Sequence, residues 1–191
     1  MAICSLPLNK VRDFQALESA INFLEPQAVI DSPCWGTAEC DFNILVIRPS
    51  NLCLNLEELK CFEVVEHQFQ QYGITFKNAI AIQPSNPAYP PRSGSTVLMG
   101  APKNGWLEAT FSQPIGEFCC YLTSSQRMIL SAYDHQDHLL IRKSLAGSNL
   151  AGSDSQIPPN VQMKIEEPNI SRISFYAFDG QLTLSNLSFS F

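Results

Sequence analysis

Residues 173–191 read Ile173-Ser174-Phe175-Tyr176-Ala177-Phe178-Asp179-Gly180-Gln181-Leu182-Thr183-Leu184-Ser185-Asn186-Leu187-Ser188-Phe189-Ser190-Phe191. Two runs rich in aromatic and aliphatic side chains flank Asp179-Gly180, a dipeptide that favours tight hairpin turns. The stretch predicts two strands, Ile173–Phe178 and Leu182–Phe191, paired as a closing hairpin. Within the second, Leu182 and Leu184 share one alternation phase, while Leu187, Phe189 and Phe191 share the other. A slip of one residue turns every side chain to the opposite face. A bulge is therefore expected at Ser185-Asn186.

Upstream, the same texture repeats. Short β-rich runs follow one another at Ile74–Phe76, Ala79–Ile82, Thr96–Met99, Trp106–Phe111, Phe118–Thr123, Met128–Tyr133, Leu139–Lys143 and Val161–Ile165. Turn residues separate them, among them Pro84-Ser85-Asn86-Pro87, Lys103-Asn104-Gly105 and Asp134-His135-Gln136-Asp137. Evenly spaced short strands with such turns predict an antiparallel sandwich, not βαβ units. A second hairpin is expected from Met128–Tyr133 and Leu139–Lys143. Ala146–Asn160 is polar and long, so it reads as a functional or mobile loop.

The first third differs. Val11, Phe14, Leu17, Ile21 and Leu24 recur every three or four residues, with Asn9 as cap and Pro26 as stop, which predicts an amphipathic helix. Ala28–Asp31 and Ile44–Arg48 read as short strands, and Val64–Tyr72 as helical turn ended by Gly73. The expected organisation is an N-terminal extension with one helix, 1–52, and a β-sandwich domain, 53–191.

Composition narrows the function. The chain has 191 residues, 45% hydrophobic and only 16% charged, enough for one well-filled core. A net charge of −6 with scattered Lys and Arg argues against nucleic-acid binding. No apolar run approaches the roughly 20 residues that span a bilayer. The first residues lack the pattern of a signal peptide. Seven cysteines at irregular spacing read as reduced thiols. Together these predict a cytoplasmic protein.

Three segments carry a family resemblance: Tyr72–Ala79, Pro90-Pro91-Arg92-Ser93-Gly94 before an expected edge strand, and the closing stretch 173–189. In that order they resemble the galactose-binding-like jelly-roll β-sandwiches of bacterial secreted and surface proteins, often of PEP-CTERM type. The resemblance implies a mainly β, jelly-roll-like sandwich from about Asn55 to Phe191. It also implies a calcium ion near the first strand and the closing hairpin, held by acidic groups. Here Ser185-Asn186 is uncharged, and Glu57 and Glu58 remain at the other end. Calcium takes six to eight oxygens, several from carboxylates, so no metal and no cofactor are expected.

Candidate chemistry is thin. Cys4, Cys34, Cys40, Cys53 and Cys61 cluster early, but none forms the close Cys-x₂₋₄-Cys pair usual in zinc sites. Cys34 with His67 frames a cysteine-dependent enzyme, without a recognised family signature around the cysteine. Asp134, His135, Asp137 and His138 form a polar knot that suits a solvated turn. Cys119-Cys120 must face opposite sides of a strand. What remains is surface recognition. The reading put first is a non-enzymatic binding module that docks on a protein partner, helped by Phe14 and Leu17 of the helix. Its alternative is a carbohydrate-binding domain; Tyr89, Arg92, Trp106, Tyr133 and Asp154 are candidate contacts for either a ligand or a partner, and Tyr176 adds aromatic surface suited to both. Sugar binding predicts aromatics gathered at one loop end with amide and carboxylate neighbours, whereas docking predicts a contiguous exposed apolar patch.

Overall fold

The computed structural model describes residues 51–100 and 105–191. Helix Val11–Leu24, the strands Ala28–Asp31 and Ile44–Arg48, and Cys34 lie outside the described residues. The strands are β1 (Leu52–Cys53), β2 (Val64–Val65), β3 (Ile74–Lys77), β4 (Ala79–Ile82) and β5 (Val97–Gly100). They continue with β6 (Trp106–Ser124), β7 (Met128–Tyr133), β8 (Leu139–Leu145), β9 (Val161–Tyr176) and β10 (Leu182–Ser190). All pairings are antiparallel.

Two long strands make the sandwich. β6 and β9 pair along most of their length, and their register shifts between Thr110 and Ile115 and again before Glu117. On β6, Leu107, Ala109 and Phe111 are buried in one phase, and Phe118, Cys120 and Leu122 in the other. The phase change is what a bulge produces. Pro114 on β6 and Pro168-Asn169 on β9 occupy the same bend, with Asn169 at φ 65°. The ribbon folds there and contributes one half to each layer. Its first half joins β3, β7 and β8; its second half joins β10, which continues to β5, β4 and β2. What the sequence presents as Trp106–Phe111 and Phe118–Thr123 is thus one strand. Val161–Ile165 and the run after Ile173 are likewise one.

The closing hairpin is corrected. β9 and β10 do not pair with each other; they flank opposite edges of β6. Phe178 and Asp179 both take positive φ, 48° and 63°, and the turn carries the chain from one layer to the other. The Ala177 N–H donates to Gly105 O at 2.8 Å, and the Ser125 N–H to Gln181 O at 2.9 Å, so both ends of β6 meet this turn. The turn signal was sound; its strand partners lie elsewhere. The bulge is found where expected, between Ser185 and Ser188, with Asn186 at φ 48°.

Other corrections are local. Val64–Tyr72 holds the short strand β2 and a 3-10 turn, Gln70–Tyr72, closed by Gly73 at φ 84°. The strand after Pro90–Gly94 is not an edge, since β5 lies between β4 and β10. The β7–β8 hairpin is present.

The core fills the space between the layers. Phe118 lies 6.3 Å from Phe111 and 6.1 Å from Phe175, ring to ring, and Phe111 lies 5.2 Å from Phe189. These rings come from both halves of the ribbon and from β10, so their burial joins the layers; each such side chain contributes roughly 1.5–3 kcal/mol. Cys120 is fully buried in this core, while Cys119 faces outward and accepts a hydrogen bond from Gln162. Residues 146–160, read from sequence as functional or mobile, are pinned. Asn149 is fully buried: its side chain accepts from the Ser124 N–H and donates to Leu122 O and Pro158 O.

Candidate functional site

Alternation gives the first layer an outer face opposite its core face. Because Leu107 and Ala109 point inward, Trp106, Glu108 and Thr110 point out. Ile173 and Phe175 do the same for Arg172, Ser174 and Tyr176, and Leu130 and Ala132 for Ile129, Ser131 and Tyr133. The registers align these residues in rows. One row runs Trp106–Tyr176–Ile129–Ser144, the next Lys77–Glu108–Ser174–Ser131–Arg142, and the third Thr75–Thr110–Arg172–Tyr133. The outer rows carry the aromatic rings, and the middle row is polar. Tyr176 and Arg172 are four residues apart, roughly 13 Å along the strand.

Hydrogen bonds hold the face in place. Trp106 Nε1 donates to Ser174 Oγ at 3.0 Å, which fixes the indole. Arg172 Nη1 donates to Glu108 Oε2 at 2.8 Å, while Nε and Nη2 both donate to Asp137 Oδ1, at 3.1 and 2.8 Å. Lys77 Nζ lies 3.5 Å from the other Glu108 oxygen, so this carboxylate, only 6% exposed, is paired on both sides. Partial burial works against the charge of Arg172, but the bonds to Asp137 and Glu108 outweigh it and raise its pKa. Beyond the first row Tyr176 packs on Phe178 at 4.6 Å, and the Arg127 guanidinium sits 3.9 Å from the Phe178 centroid. An open hollow of about 390 Å³ lies there, lined by Arg127, Ile129, Arg142 and Ser144 among others.

Of the candidate contacts, Trp106, Tyr133 and Tyr176 come together on this face. Tyr89 does not offer the ring expected of it, being only 7% exposed because its loop folds it against the domain. Arg92 serves the second layer, 4.8 Å from the Tyr121 centroid. Asp154 is exposed in the loop 146–160. Phe14 and Leu17 lie outside the described residues. Sequence reading missed Glu108, Arg172 and Arg142, although Trp106-x-Glu108-x-Thr110 and Arg172-x-Ser174-x-Tyr176 alternate with apolar residues. That pattern marks a sheet whose outer face is built from polar and aromatic groups.

The polar knot is a turn. Asp134 Oδ1 accepts the N–H groups of Gln136 and His138, at 2.8 and 2.9 Å, and Oδ2 lies 3.2 Å from His138 Nδ1. Desolvation pushes this carboxyl up, but the backbone bonds from His138 and Gln136 prevail and lower its pKa.

The calcium region can be tested on its own donors. Glu57 and Asn186 do line one hollow, together with Ser93 and Gly94. Yet Glu57 accepts from the Ser95 N–H, the Ser95 hydroxyl and the Thr96 N–H, at 2.9, 2.7 and 2.8 Å. Asn186 is engaged by Ser93, and Glu58 by Asn55. Donor N–H groups aimed at the one central carboxylate suit an anion, so these residues do not fit calcium.

A second hollow, about 210 Å³, lies on the other layer beside Phe62, which is 80% exposed at φ 66°. It presents the exposed ring of Phe62, whereas the first-layer face sets the exposed Tyr176 beside the half-buried Trp106 and Tyr133.

No protein-family model and no curated protein matches the chain, so the PEP-CTERM-type membership expected from sequence gains no support. Among solved structures, a family 29 carbohydrate-binding module from Piromyces equi aligns at 12% identity and TM-score 0.37, over 62% of this chain and 80% of that one. A mutant family 29 module complexed with cellohexaose aligns at 12% and 0.34, over 62% and 92%. A DUF4465 family protein from Bacteroides caccae aligns at 10% and 0.42, over 78% and 96%. These are distant likenesses. No helix among the described residues is long and apolar enough to cross a membrane.

Proposed function

We propose that this domain is a non-catalytic carbohydrate-binding module whose ligand lies on the outer face of β3, β6, β9 and β7. One observation carries the reading: the rings of Trp106 and Tyr176 are cross-strand neighbours beside a row of hydrogen-bonding groups. Sugars present apolar C–H faces and rims of hydroxyls. Aromatic rings take the first, and Ser174 and Arg142 suit the second. Because Trp106 and Arg172 are already held by protein partners, little ordering cost remains on binding.

Protein docking, put first from sequence, has less support. Its helix lies outside the described residues. The large exposed apolar side chains come from the β2 region, the turn before β3, β8, β9 and the last residue. Four described cysteines, Cys53, Cys61, Cys119 and Cys120, are free thiols.

The test is calorimetric titration of the full chain with soluble oligosaccharides, with cellohexaose, mannohexaose and oligogalacturonate as first probes. Binding that Trp106→Ala and Tyr176→Ala each abolish, at unchanged melting temperature, is the expected result. Failure of every probe to bind, or binding indifferent to both substitutions, overturns it.

A further inference from the structure

The aromatic row does not end at Tyr176. It continues through Ile129 to Ser144, both of which line the 390 Å³ hollow. Two arginines, Arg127 and Arg142, line that hollow. Arg127 stacks on Phe178, which packs on Tyr176, so its charge is held at the end of the aromatic strip. Arg142 stands opposite Ser131 in the middle row and is exposed. Among the described residues neither forms an ion pair, whereas Arg172 on the same face is engaged by two carboxylates. Among the described residues no carboxylate lines the hollow. In a chain of net charge −6 this is a local positive site.

From this charge complementarity we infer that the ligand is an acidic oligosaccharide, whose carboxylate enters the hollow between Arg127 and Arg142 while neighbouring rings lie on Tyr176 and Trp106. The inference rests on the carbohydrate reading above and adds the ligand's charge. A guanidinium presents parallel N–H groups that match a planar carboxylate in two bonds. Lysine or hydroxyl groups would hold a neutral sugar equally well, and here, among the described residues, neither arginine has a carboxylate partner. Ser144 adds a hydroxyl on the hollow's wall for the sugar rim.

The experiment compares three probes on the full chain by calorimetry: hexameric oligogalacturonate, its methyl ester, and cellohexaose. The acid should bind at least about tenfold more tightly than the ester, which has the same backbone without the charge. Its affinity should fall with added salt. Arg127→Gln and Arg142→Gln should each weaken the acid about tenfold and leave the ester unchanged. Melting temperatures confirm that both variants fold. If acid and ester bind alike, or both arginine variants bind the acid normally, the inference fails while the carbohydrate reading stands. A sulfated oligosaccharide bound in preference to the acid also overturns the carboxylate assignment. If none of the three binds, the inference fails, and if mannohexaose fails as well the carbohydrate reading fails with it.

Discussion

The guanidinium of Arg172 lies 4.1 Å from the centre of the Tyr133 ring, so one cation covers an aromatic face and spans two carboxylates. Through Asp137 it ties the β7–β8 turn to β9, and through Glu108 it ties β9 to β6. Cation–π contact and paired hydrogen bonds act here on a side chain only 25% exposed. Arg172 therefore belongs to the sheet's stability as much as to its outer surface.

Arg172→Ala should cost about 2–3 kcal/mol, because Glu108 is left nearly buried with only Lys77 beside it. Arg172→Lys keeps the charge but loses the fork, and should recover less than half of that. Urea denaturation at constant m-value checks both. If Arg172→Ala unfolds at the parent midpoint, the bridge is not a stabilising element.

Asn149 provides the second prediction. Its amide completes four hydrogen bonds in place of a strand neighbour, counting its own N–H to Ser124 O. Asn149→Ala should lose about 2–4 kcal/mol, since Ser124, Leu122 and Pro158 are left with unsatisfied groups. Asn149→Asp should be no better, because a carboxylate cannot donate to the two carbonyls. Faster amide exchange and proteolysis in 146–160 should accompany both. Parent-like protection of that loop in Asn149→Ala would show that it is anchored elsewhere.

How far the sequence led depends on whether a feature was local. The Ser185-Asn186 bulge was legible because the change of phase is written within nine residues. The β7–β8 hairpin was legible for the same reason. The Asp179-Gly180 turn was legible as a turn, but its partners depend on residues some seventy positions earlier, and no local signal names them. The bend shared by β6 and β9 was mistaken for two gaps. Pro114 and Pro168 read as strand ends when each strand is taken alone; only the pairing of the two shows that the ribbon continues. On the candidate site, Trp106, Tyr133 and Tyr176 could be named by type. Glu108 and Arg172 acquire meaning only when register places them side by side.

Glu57 predicts a pH dependence. The Thr96 N–H is the main influence, followed by the Ser95 hydroxyl and N–H, and together they lower its carboxyl below the ordinary 4.5. A group with a depressed folded-state pKa contributes stability above its unfolded value, and that contribution is lost as pH falls through the folded value. The parent should therefore weaken as pH drops below about 4.5. Glu57→Gln should be less stable than the parent at neutral pH, and the difference should shrink in acid. EDTA should leave the melting temperature of both unchanged. A gap between the two proteins that stays constant down to pH 2, or a fall in melting temperature with EDTA, would contradict the hydrogen-bonded strut.

The last prediction concerns the seam where both ends of β6 meet the turn after β9. Gly105 takes φ 59°, and a Cβ added there would lie 2.4 Å from Gly180 O and 3.1 Å from Ala177 Cβ. Its carbonyl also accepts the Ala177 N–H, so it cannot move away without breaking that bond. Gly152 is a natural control, because it too has positive φ, 71°, yet nothing lies within 4 Å of a Cβ built on it. Gly152→Ala should therefore pay only the backbone cost of a left-handed alanine, about 1–2 kcal/mol. Gly105→Ala pays that cost and must also push a backbone carbonyl aside, so a loss of about 3 kcal/mol or more is expected. Urea denaturation of the two variants side by side separates strain from collision. Equal losses would mean that the turn after β9 yields freely, and the two layers would then be held by their core alone.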